Sequence, residues 1–170
     1  MTDVIVRPAK PEEFERVGEL TLAAYQASSA LEPESDYRKE LADAGRRAAA
    51  GELLVAIDHE GAILGSVSMA LPGSEFAEIA REGELEFRML ATAPDARRRG
   101  VGHALTCAVL DRAGELGCTR VVLCSRDVMV AAHRLYERLG FSRLPERDWQ
   151  PGPGGLQLAF AVPVCRAPVD

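Results

Sequence analysis

Arg97-Arg98-Arg99-Gly100-Val101-Gly102 lies between an apolar, strand-like run that ends near Thr92 and an amphipathic helix predicted to begin at Val101. Three cations ahead of a helix N-terminus oppose the helix dipole, at a cost of about 0.3–1 kcal/mol each. A bound anion reverses this balance, because the free N–H groups of the first turn and the arginines can hold it together. The glycines lack a Cβ, so a phosphate can approach the backbone closely. The segment predicts a polyphosphate-binding loop.

The spacing of this loop excludes two better-known phosphate-binding motifs. The chain has no G-x-x-x-x-G-K-[ST] sequence of the Walker type, and Leu105 replaces the third glycine of a dinucleotide fingerprint. The pattern R-x-x-G-x-G between a strand and a helix resembles the acetyl-CoA-binding motif of the GNAT superfamily of N-acetyltransferases. A solvated charge run on a turn is the alternative interpretation of Arg97 to Arg99.

A second segment, Ala132 to Phe141, resembles the A-x-x-L-Y-E-x-L-G-F motif of the same superfamily. Its helical spacing places Tyr136 on an apolar face, His133 among the residues that face water, and Gly140 just after the last turn. The resemblance implies that Tyr136 lies near the coenzyme sulfur; an ordinary core tyrosine is the alternative. The family often has an asparagine seven residues before the tyrosine, and here that residue is Met129, so its usual hydrogen bond near the coenzyme is missing.

Composition indicates one soluble domain, over residues 1–170. The chain has 170 residues, of which 47% are hydrophobic, and a formal net charge of -6. This length suffices for a single core, the charge lacks the basic excess of a nucleic-acid-binding protein, and no apolar run approaches the roughly 20 residues that span a bilayer. The N-terminus shows no signal-peptide pattern. We expect a cytoplasmic protein that binds neither nucleic acid nor membrane, with a homodimer left open.

The cysteines and histidines predict no metal site. The cysteines show no C-x-x-C pairing and no matching histidines, which argues against zinc. Their apolar neighbours indicate buried thiols, although a nucleophilic role for Cys124 is an alternative. The four cysteines are Cys107, Cys118, Cys124 and Cys165.

Hydrophobic periodicity and turn residues predict the order β-α-α-β-β-β-α-β-α-β-β. The predicted helices cover about 11–27, 34–50, 101–116 and 128–139, and the predicted strands cover about 4–7, 53–57, 63–71, 84–92, 120–125, 141–144 and 155–162. This order matches the GNAT topology over nearly the whole chain. The resemblance implies an α/β (α+β) single-domain fold, in which four helices flank a mixed central sheet of about 6–7 strands and two central strands splay apart.

The resemblance also implies how acetyl-CoA binds. The strand end Met89 to Ala91 lies along the pantetheine arm and bonds its amides through backbone groups, while the first-turn N–H groups at Arg99 to Gly102 take the pyrophosphate. The expected cofactor-binding residues are Met89, Leu90, Ala91, Arg97, Arg98, Arg99, Gly100, Val101 and Gly102, without a metal.

The implied reaction is direct attack of a primary amine of a small molecule or peptide on the thioester, through a tetrahedral intermediate. The amine, of pKa about 10, must lose a proton, and a backbone N–H near Leu90 suits the oxyanion. Tyr136 suits the acid that protonates the departing thiolate. Glu86, which shares one face of the central strand with Glu84 and Arg88, is the candidate proton acceptor, as in some family members. The alternatives are an ion pair of Glu86 with Arg88 or with a cation on a neighbouring strand, and a water chain as the proton acceptor.

A second function class stays open at this stage. The same motifs suit a non-catalytic module that binds acyl-CoA and serves as a sensor or partner subunit. Release of thiol from acetyl-CoA in the presence of amines separates the enzyme from the sensor.

Overall fold

The computed structural model describes residues 3–28, 35–152 and 155–164, so that Cys165 and the ends of the predicted 1–170 domain lie outside the described residues. Within them the chain forms seven strands and five α-helices. The strands are β1 (Ile5–Pro8), β2 (Glu52–Ile57), β3 (Ile63–Ala70), β4 (Glu84–Thr92), β5 (Arg120–Arg126), β6 (Ser142–Arg143) and β7 (Gln157–Pro163). The helices are α1 (Phe14–Ala27), α2 (Tyr37–Ala42), α3 (Ala44–Ala50), α4 (Val101–Glu115) and α5 (Val130–Arg138).

One sheet holds all seven strands, in the order β1-β2-β3-β4-β5-β7-β6. Neighbouring strands are antiparallel except β4 and β5, which are parallel. Helix α4 is the crossover between these two strands, and its apolar positions Val101, Leu105 and Val109 are buried. The expected mixed sheet of about 6–7 strands in an α/β fold is confirmed.

The central strands β4 and β5 pair only where they begin. Their register runs from Glu84 opposite Arg120 to Glu86 opposite Val122 and then stops. Both strands continue past this point, to Thr92 in β4 and to Arg126 in β5. The sheet is therefore split between its two central strands, as the resemblance implied.

Strand β4 also bulges beyond the start of the split. Ser66 of β3 faces Ala91, but Ser68 faces Arg88, so β4 carries one residue more than β3 over this interval. Met89, within the bulge, has a φ of 55°, which is the left-handed region. A bulge re-aims the backbone of a strand, and here it leaves Met89 and Leu90 without a register partner in β3 or β5.

The predicted helix over 34–50 is wrong, because it divides into α2 and α3, and its first residue, Glu34, lies outside the described residues. The break falls at Asp43, whose ψ of 70° is not helical. The Asp43 side chain accepts a hydrogen bond from the Arg46 N–H at 3.1 Å, which begins α3 as a new helix. The described chain therefore has five α-helices rather than the predicted four.

A buried ion-pair cluster lies at the foot of the split, by which we mean the short paired segment of β4 and β5 that begins at Glu84 and Arg120. The Glu84 carboxylate accepts hydrogen bonds from Arg147 Nη1 at 2.6 Å and from Arg120. Burial alone would raise the pKa of Glu84, but the bonds from Arg147, from the Arg81 N–H and from Arg120 lower it from 4.5 to about 2. The cluster joins β4, β5 and the short 3₁₀ turn at Pro145–Arg147.

Candidate active site

A cavity of about 420 Å³ opens where β4 and β5 separate. Residues from β4, β5, β7, α1, α2, α5 and the loops beside them line it. They are Tyr25, Ser35, Asp36, Tyr37, Glu40, Glu78, Phe87, Arg88, Met89, Leu90, Cys124, Ser125, Arg126, Met129, Tyr136, Trp149, Pro151 and Gln157.

The predicted phosphate-binding loop makes a left-handed turn into α4. Arg98 and Gly100 have φ values of 67° and 76°, and Gly100 is the N-cap of the helix without a side-chain cap. Within the part of the chain that the structure describes, the N–H groups of residues 101–103 meet no hydrogen-bond acceptor. Arg97, Arg98 and Arg99 are exposed beside them. Free N–H groups at a helix N-terminus with adjacent cations form an anion-binding site.

Gly102 connects this loop with the cavity. A Cβ built on Gly102 would lie 3.1 Å from Leu135 Cδ2, which is tighter than ordinary contact. Leu135 immediately precedes Tyr136 on α5, and Tyr136 lines the cavity. The absence of a side chain at Gly102 thus lets α4 approach α5 beside the cavity.

The bulge of β4 supplies part of the cavity wall. Met89 and Leu90, two of the three residues predicted to lie along the pantetheine arm, line the cavity. The third, Ala91, is buried, pairs with Ser66 of β3 and is not among the lining residues.

A buried arginine that the sequence did not single out supports the bulge. Arg47 is 1% exposed. Its Nη1 lies 3.0 Å from Met89 Sδ and donates to the carbonyl oxygens of Glu40 and Leu41 at 3.0 and 2.8 Å. Burial lowers the pKa of Arg47. The sequence pattern of α3 indicates a polar helix and gives no sign that Arg47 differs from its neighbour Arg46. Only the structure shows that Arg47 is buried and Arg46 is exposed.

Tyr136 lies on the apolar face of α5, as predicted, and lines the cavity. It is 4% exposed, and its ring packs against Phe87, Phe141 and Phe160 at centroid distances of 5.8, 5.7 and 5.8 Å. Burial raises the pKa of Tyr136. The phenol therefore stays protonated at neutral pH and is able to donate a proton or a hydrogen bond into the cavity.

Glu86, the predicted proton acceptor, does not line the cavity. It is fully buried, and its carboxylate accepts hydrogen bonds from the backbone N–H groups of Glu78, Ile79 and Ala80 at 2.8–3.0 Å. Three donors on one carboxylate hold the preceding loop against β4. In this geometry the Glu86 carboxylate faces the loop at residues 78–80 rather than the cavity.

The far wall of the cavity combines tyrosines with an ion pair. Arg88 Nε lies 2.9 Å from Glu78 Oε1, and Arg88 Nη2 donates to Tyr37 Oη at 3.2 Å. The Tyr37 ring meets Tyr25 edge to face at 6.2 Å. Burial raises the pKa of Glu78 although Arg88 opposes the shift. The alternative ion pair between Glu86 and Arg88 is therefore replaced by one between Glu78 and Arg88.

Two further sequence interpretations meet the structure at this cavity. Burial raises the pKa of the Cys124 thiol to about 12, which leaves no thiolate for a nucleophilic role at neutral pH. His133 is half-buried rather than on a solvent-facing surface, because its ring stacks on Phe160 at 5.2 Å.

The described residues contain neither a metal-binding group nor a membrane-spanning helix. These residues contain no group of three or more histidine, cysteine or acidic side chains placed to hold a metal ion. None of their helices has the length and apolar character needed to cross a bilayer.

Comparison with known proteins gives a family and a fold. The sequence model of the Acetyltransferase (GNAT) family matches residues 14–141. A Corynebacterium glutamicum structure described as histone acetyltransferase HPA2 and related acetyltransferase is 26% identical, with a TM-score of 0.72 over 99% of this chain and 100% of that chain. No curated protein sequence matches.

Two solved structures with lower identity share the fold. A GNAT superfamily phosphinothricin acetyltransferase from Sinorhizobium meliloti, in complex with AcCoA, is 19% identical, with a TM-score of 0.71 over 95% of this chain and 89% of that chain. The ribosomal-protein-S18-alanine N-acetyltransferase from Escherichia coli is 19% identical, with a TM-score of 0.65 over 97% of this chain and 96% of that chain.

Proposed function

The chain belongs to the acetyltransferase (GNAT) family, and we propose from this premise that it moves an acetyl group from acetyl-CoA to a primary amine. The acceptor amine is carried by a small molecule or a peptide. Both classes occur among the structural neighbours, which include a phosphinothricin acetyltransferase and a ribosomal-protein-alanine N-acetyltransferase. Acetyl-CoA, when bound, supplies an acetyl group activated as a thioester.

The phosphate-binding loop fits the pyrophosphate of this coenzyme. The N–H groups of residues 101–103 lack acceptors among the described residues, and Arg97 to Arg99 add positive charge. The left-handed turn at Arg98 and Gly100 aims backbone amides outward, as in other anion-binding nests. We assign pyrophosphate binding to residues 97–102 on this geometry.

The bulge fits the reacting end of the coenzyme. Met89 and Leu90 line the cavity, and their backbone groups are outside the regular sheet register. Backbone groups outside the register suit hydrogen bonds to the amides of an extended pantetheine arm, as in β-strand addition. We propose that the Leu90 N–H is the donor that stabilises negative charge on the thioester oxygen during attack, a contribution of about 3 kcal/mol in comparable sites.

Tyr136 is the proposed acid. Tyr136 belongs to the cavity wall, and its raised pKa keeps the proton on the hydroxyl until a thiolate develops nearby. This transfer is uphill, because the thiol that forms has a pKa of about 8.5, below that of the phenol, and reprotonation of the phenolate drives it forward. The phenolate then recovers a proton from solvent through the open cavity.

The single observation that carries the proposal is the separation of β4 from β5 beside the first turn of α4, whose N–H groups have no acceptor among the described residues. The test is thiol release from acetyl-CoA with a panel of alkylamines, amino acids and short peptides, combined with calorimetric titration of acetyl-CoA. Binding together with amine-dependent thiol release is expected. Binding without thiol release from any amine favours the acyl-CoA sensor, and absence of binding excludes both functions.

A further inference from the structure

Ser125 and His133 form a hydrogen-bonded pair in the cavity wall. Ser125 is 6% exposed and lines the cavity at the end of β5, and its Oγ lies 3.1 Å from His133 Nε2. His133 also forms a hydrogen bond with the backbone of Arg126. In the tautomer that carries its proton on Nδ1, Nε2 accepts a hydrogen bond from the Ser125 hydroxyl. A hydroxyl and an imidazole can transfer a proton between them when a third group orients the imidazole ring.

The pair lies where the reaction is expected. Continuing the β4–β5 register past the split places Ser125 opposite Met89, which is in the bulge. His133 and Tyr136 are three residues apart on α5 and therefore lie on neighbouring turns of one helix face. The proposed acid and the Ser125–His133 pair consequently share one side of the cavity.

The charges around His133 favour the neutral ring. Burial and Arg143 lower its pKa, whereas the Arg126 backbone, Glu137 and Asp127 raise it, and the net shift is downward from the usual 6.5. An imidazole with a pKa below 6.5 is unprotonated at pH 7 and can accept a proton. It keeps partial exposure to solvent, so the proton has a way out.

Three other titratable groups near the cavity are less suited to this task. Glu78 is engaged by Arg88 at 2.9 Å, and Glu86 is buried under three N–H donors. The Cys124 thiol, with a pKa of about 12, holds its proton.

We propose that Ser125 and His133 form a proton relay that takes the proton from the acceptor amine. The inference rests on the proposed acetyltransferase function. As the amine nitrogen bonds to the thioester carbon, its proton passes to Ser125 Oγ while the Ser125 hydroxyl proton passes to His133 Nε2. The C–S bond then breaks, Tyr136 protonates the sulfur, and the imidazolium releases its proton to solvent.

The test compares His133→Gln and Ser125→Ala with the wild-type protein. Each variant lowers turnover by about 10²-fold or more, leaves acetyl-CoA affinity unchanged in calorimetry, and removes the acidic limb of the kcat/KM profile. The acceptor is a weakly basic amine that stays unprotonated over the whole pH range. The double variant is no slower than either single one, because the two residues act as a unit. His59→Gln, in the exposed β2–β3 turn, is the matched control and keeps wild-type turnover.

Failure of the relay and failure of the proposed function give different results. If wild-type protein does not bind acetyl-CoA, the proposed function fails. If the wild-type enzyme is active and His133→Gln keeps both its rate and its acidic limb, the relay is wrong. NMR titration supplies a measurement that needs no acceptor: the His133 ring titrates below pH 6.5 in the wild-type protein, and Ser125→Ala shifts that pKa. An unchanged titration in Ser125→Ala, or a wild-type His133 that titrates at or above pH 6.5, overturns the relay.

Discussion

Arg47 Nη1 lies 3.0 Å from Met89 Sδ, directly behind the bulge of β4. The same nitrogen donates to the carbonyl oxygens of Glu40 and Leu41, near the C-terminal end of α2. Among the described residues no carboxylate forms an ion pair with Arg47. Its charge is therefore compensated by carbonyl dipoles at the negative end of a helix. The Arg47 guanidinium therefore joins α2, which lines the cavity, to β4, the strand that is proposed to hold the coenzyme.

The first prediction tests this connection. Arg47→Leu removes the donors of two buried carbonyl groups, so we expect the free energy of unfolding to fall by about 2 kcal/mol in urea denaturation. Arg46→Leu is the matched control. Its exposed pair with Glu75 contributes less than about 1 kcal/mol. If the free energy of unfolding of Arg47→Leu equals that of the wild type, removal of the buried charge offsets the loss of the hydrogen bonds and the prediction is wrong.

The second prediction concerns the ion-pair cluster at the foot of the split. The pKa of Glu84 is lowered to about 2, so its contribution to stability is complete above pH 4.5 and is lost as the pH falls towards 2. Glu84→Gln is expected to destabilise the protein by about 3 kcal/mol at pH 7, because it leaves Arg147 buried without a charge partner. The difference between variant and wild type narrows between pH 4.5 and 2 in thermal or urea unfolding.

Glu13 offers the control for this pH dependence. Its hydrogen bonds with Arg7 also lower its pKa to about 2, but the Arg7 side chain is 27% exposed. Glu13→Gln is expected to cost only about 1 kcal/mol. If Glu13→Gln and Glu84→Gln lower the free energy of unfolding equally, burial does not strengthen the contribution of the Glu84 cluster to stability.

Much of the fold could be predicted because local patterns agree with it. The run from Glu84 to Thr92, the helix from Val101 and the Asp58 to Gly61 hairpin turn each carry a clear period or turn signal. The break at Asp43 was missed, because its cause is a side-chain cap within a continuous helical pattern. The split of the sheet came from resemblance alone, since no local property of β4 or β5 shows where pairing stops.

The site divides in the same way. The loop at residues 97–102 and Tyr136 can be proposed as site residues from the sequence, because each belongs to a compact motif. The alternation of β4 predicts that Glu86 shares a strand face with Glu84 and Arg88. Its hydrogen-bond partners come from a loop whose path the sequence does not reveal. The pairing of Ser125 with His133 depends on packing of α5 against β5 and has no local signal.

A third prediction assigns Glu86 its role. In Glu86→Gln an amide N–H₂ faces backbone donors, so the loop at residues 78–80 loses hydrogen bonds and the free energy of unfolding falls by about 2 kcal/mol. The acidic limb of the pH–rate profile is expected to remain. Glu75→Gln, at an exposed position, is the control for loss of one charge. Disappearance of the limb in Glu86→Gln alone would restore Glu86 as the proton acceptor.

A fourth prediction tests Tyr136 as the acid. Tyr136→Phe keeps the ring among Phe87, Phe141 and Phe160 and removes only the hydroxyl. We expect turnover to fall by about 10²-fold or more, with acetyl-CoA affinity and melting temperature nearly unchanged. Thiol-release kinetics and calorimetry measure the two effects separately. Wild-type turnover in Tyr136→Phe would make Tyr136 a core residue without a chemical role.

The last prediction concerns the phosphate-binding loop. Gly102→Val is expected to weaken acetyl-CoA binding at least tenfold, about 1.4 kcal/mol, in calorimetry. Gly114→Val, in the last turn of the same helix, is the control, because a Cβ there meets only Val164 at 3.8 Å. At Gly102 a side chain would also press on Leu135, 3.1 Å away. The double variant Gly102→Val/Leu135→Ala removes that contact and separates the two causes. If it stays weak, Gly102 is needed for phosphate approach. If it recovers wild-type affinity, Gly102 is needed for the packing of α4 on α5, and the phosphate lies elsewhere on the loop.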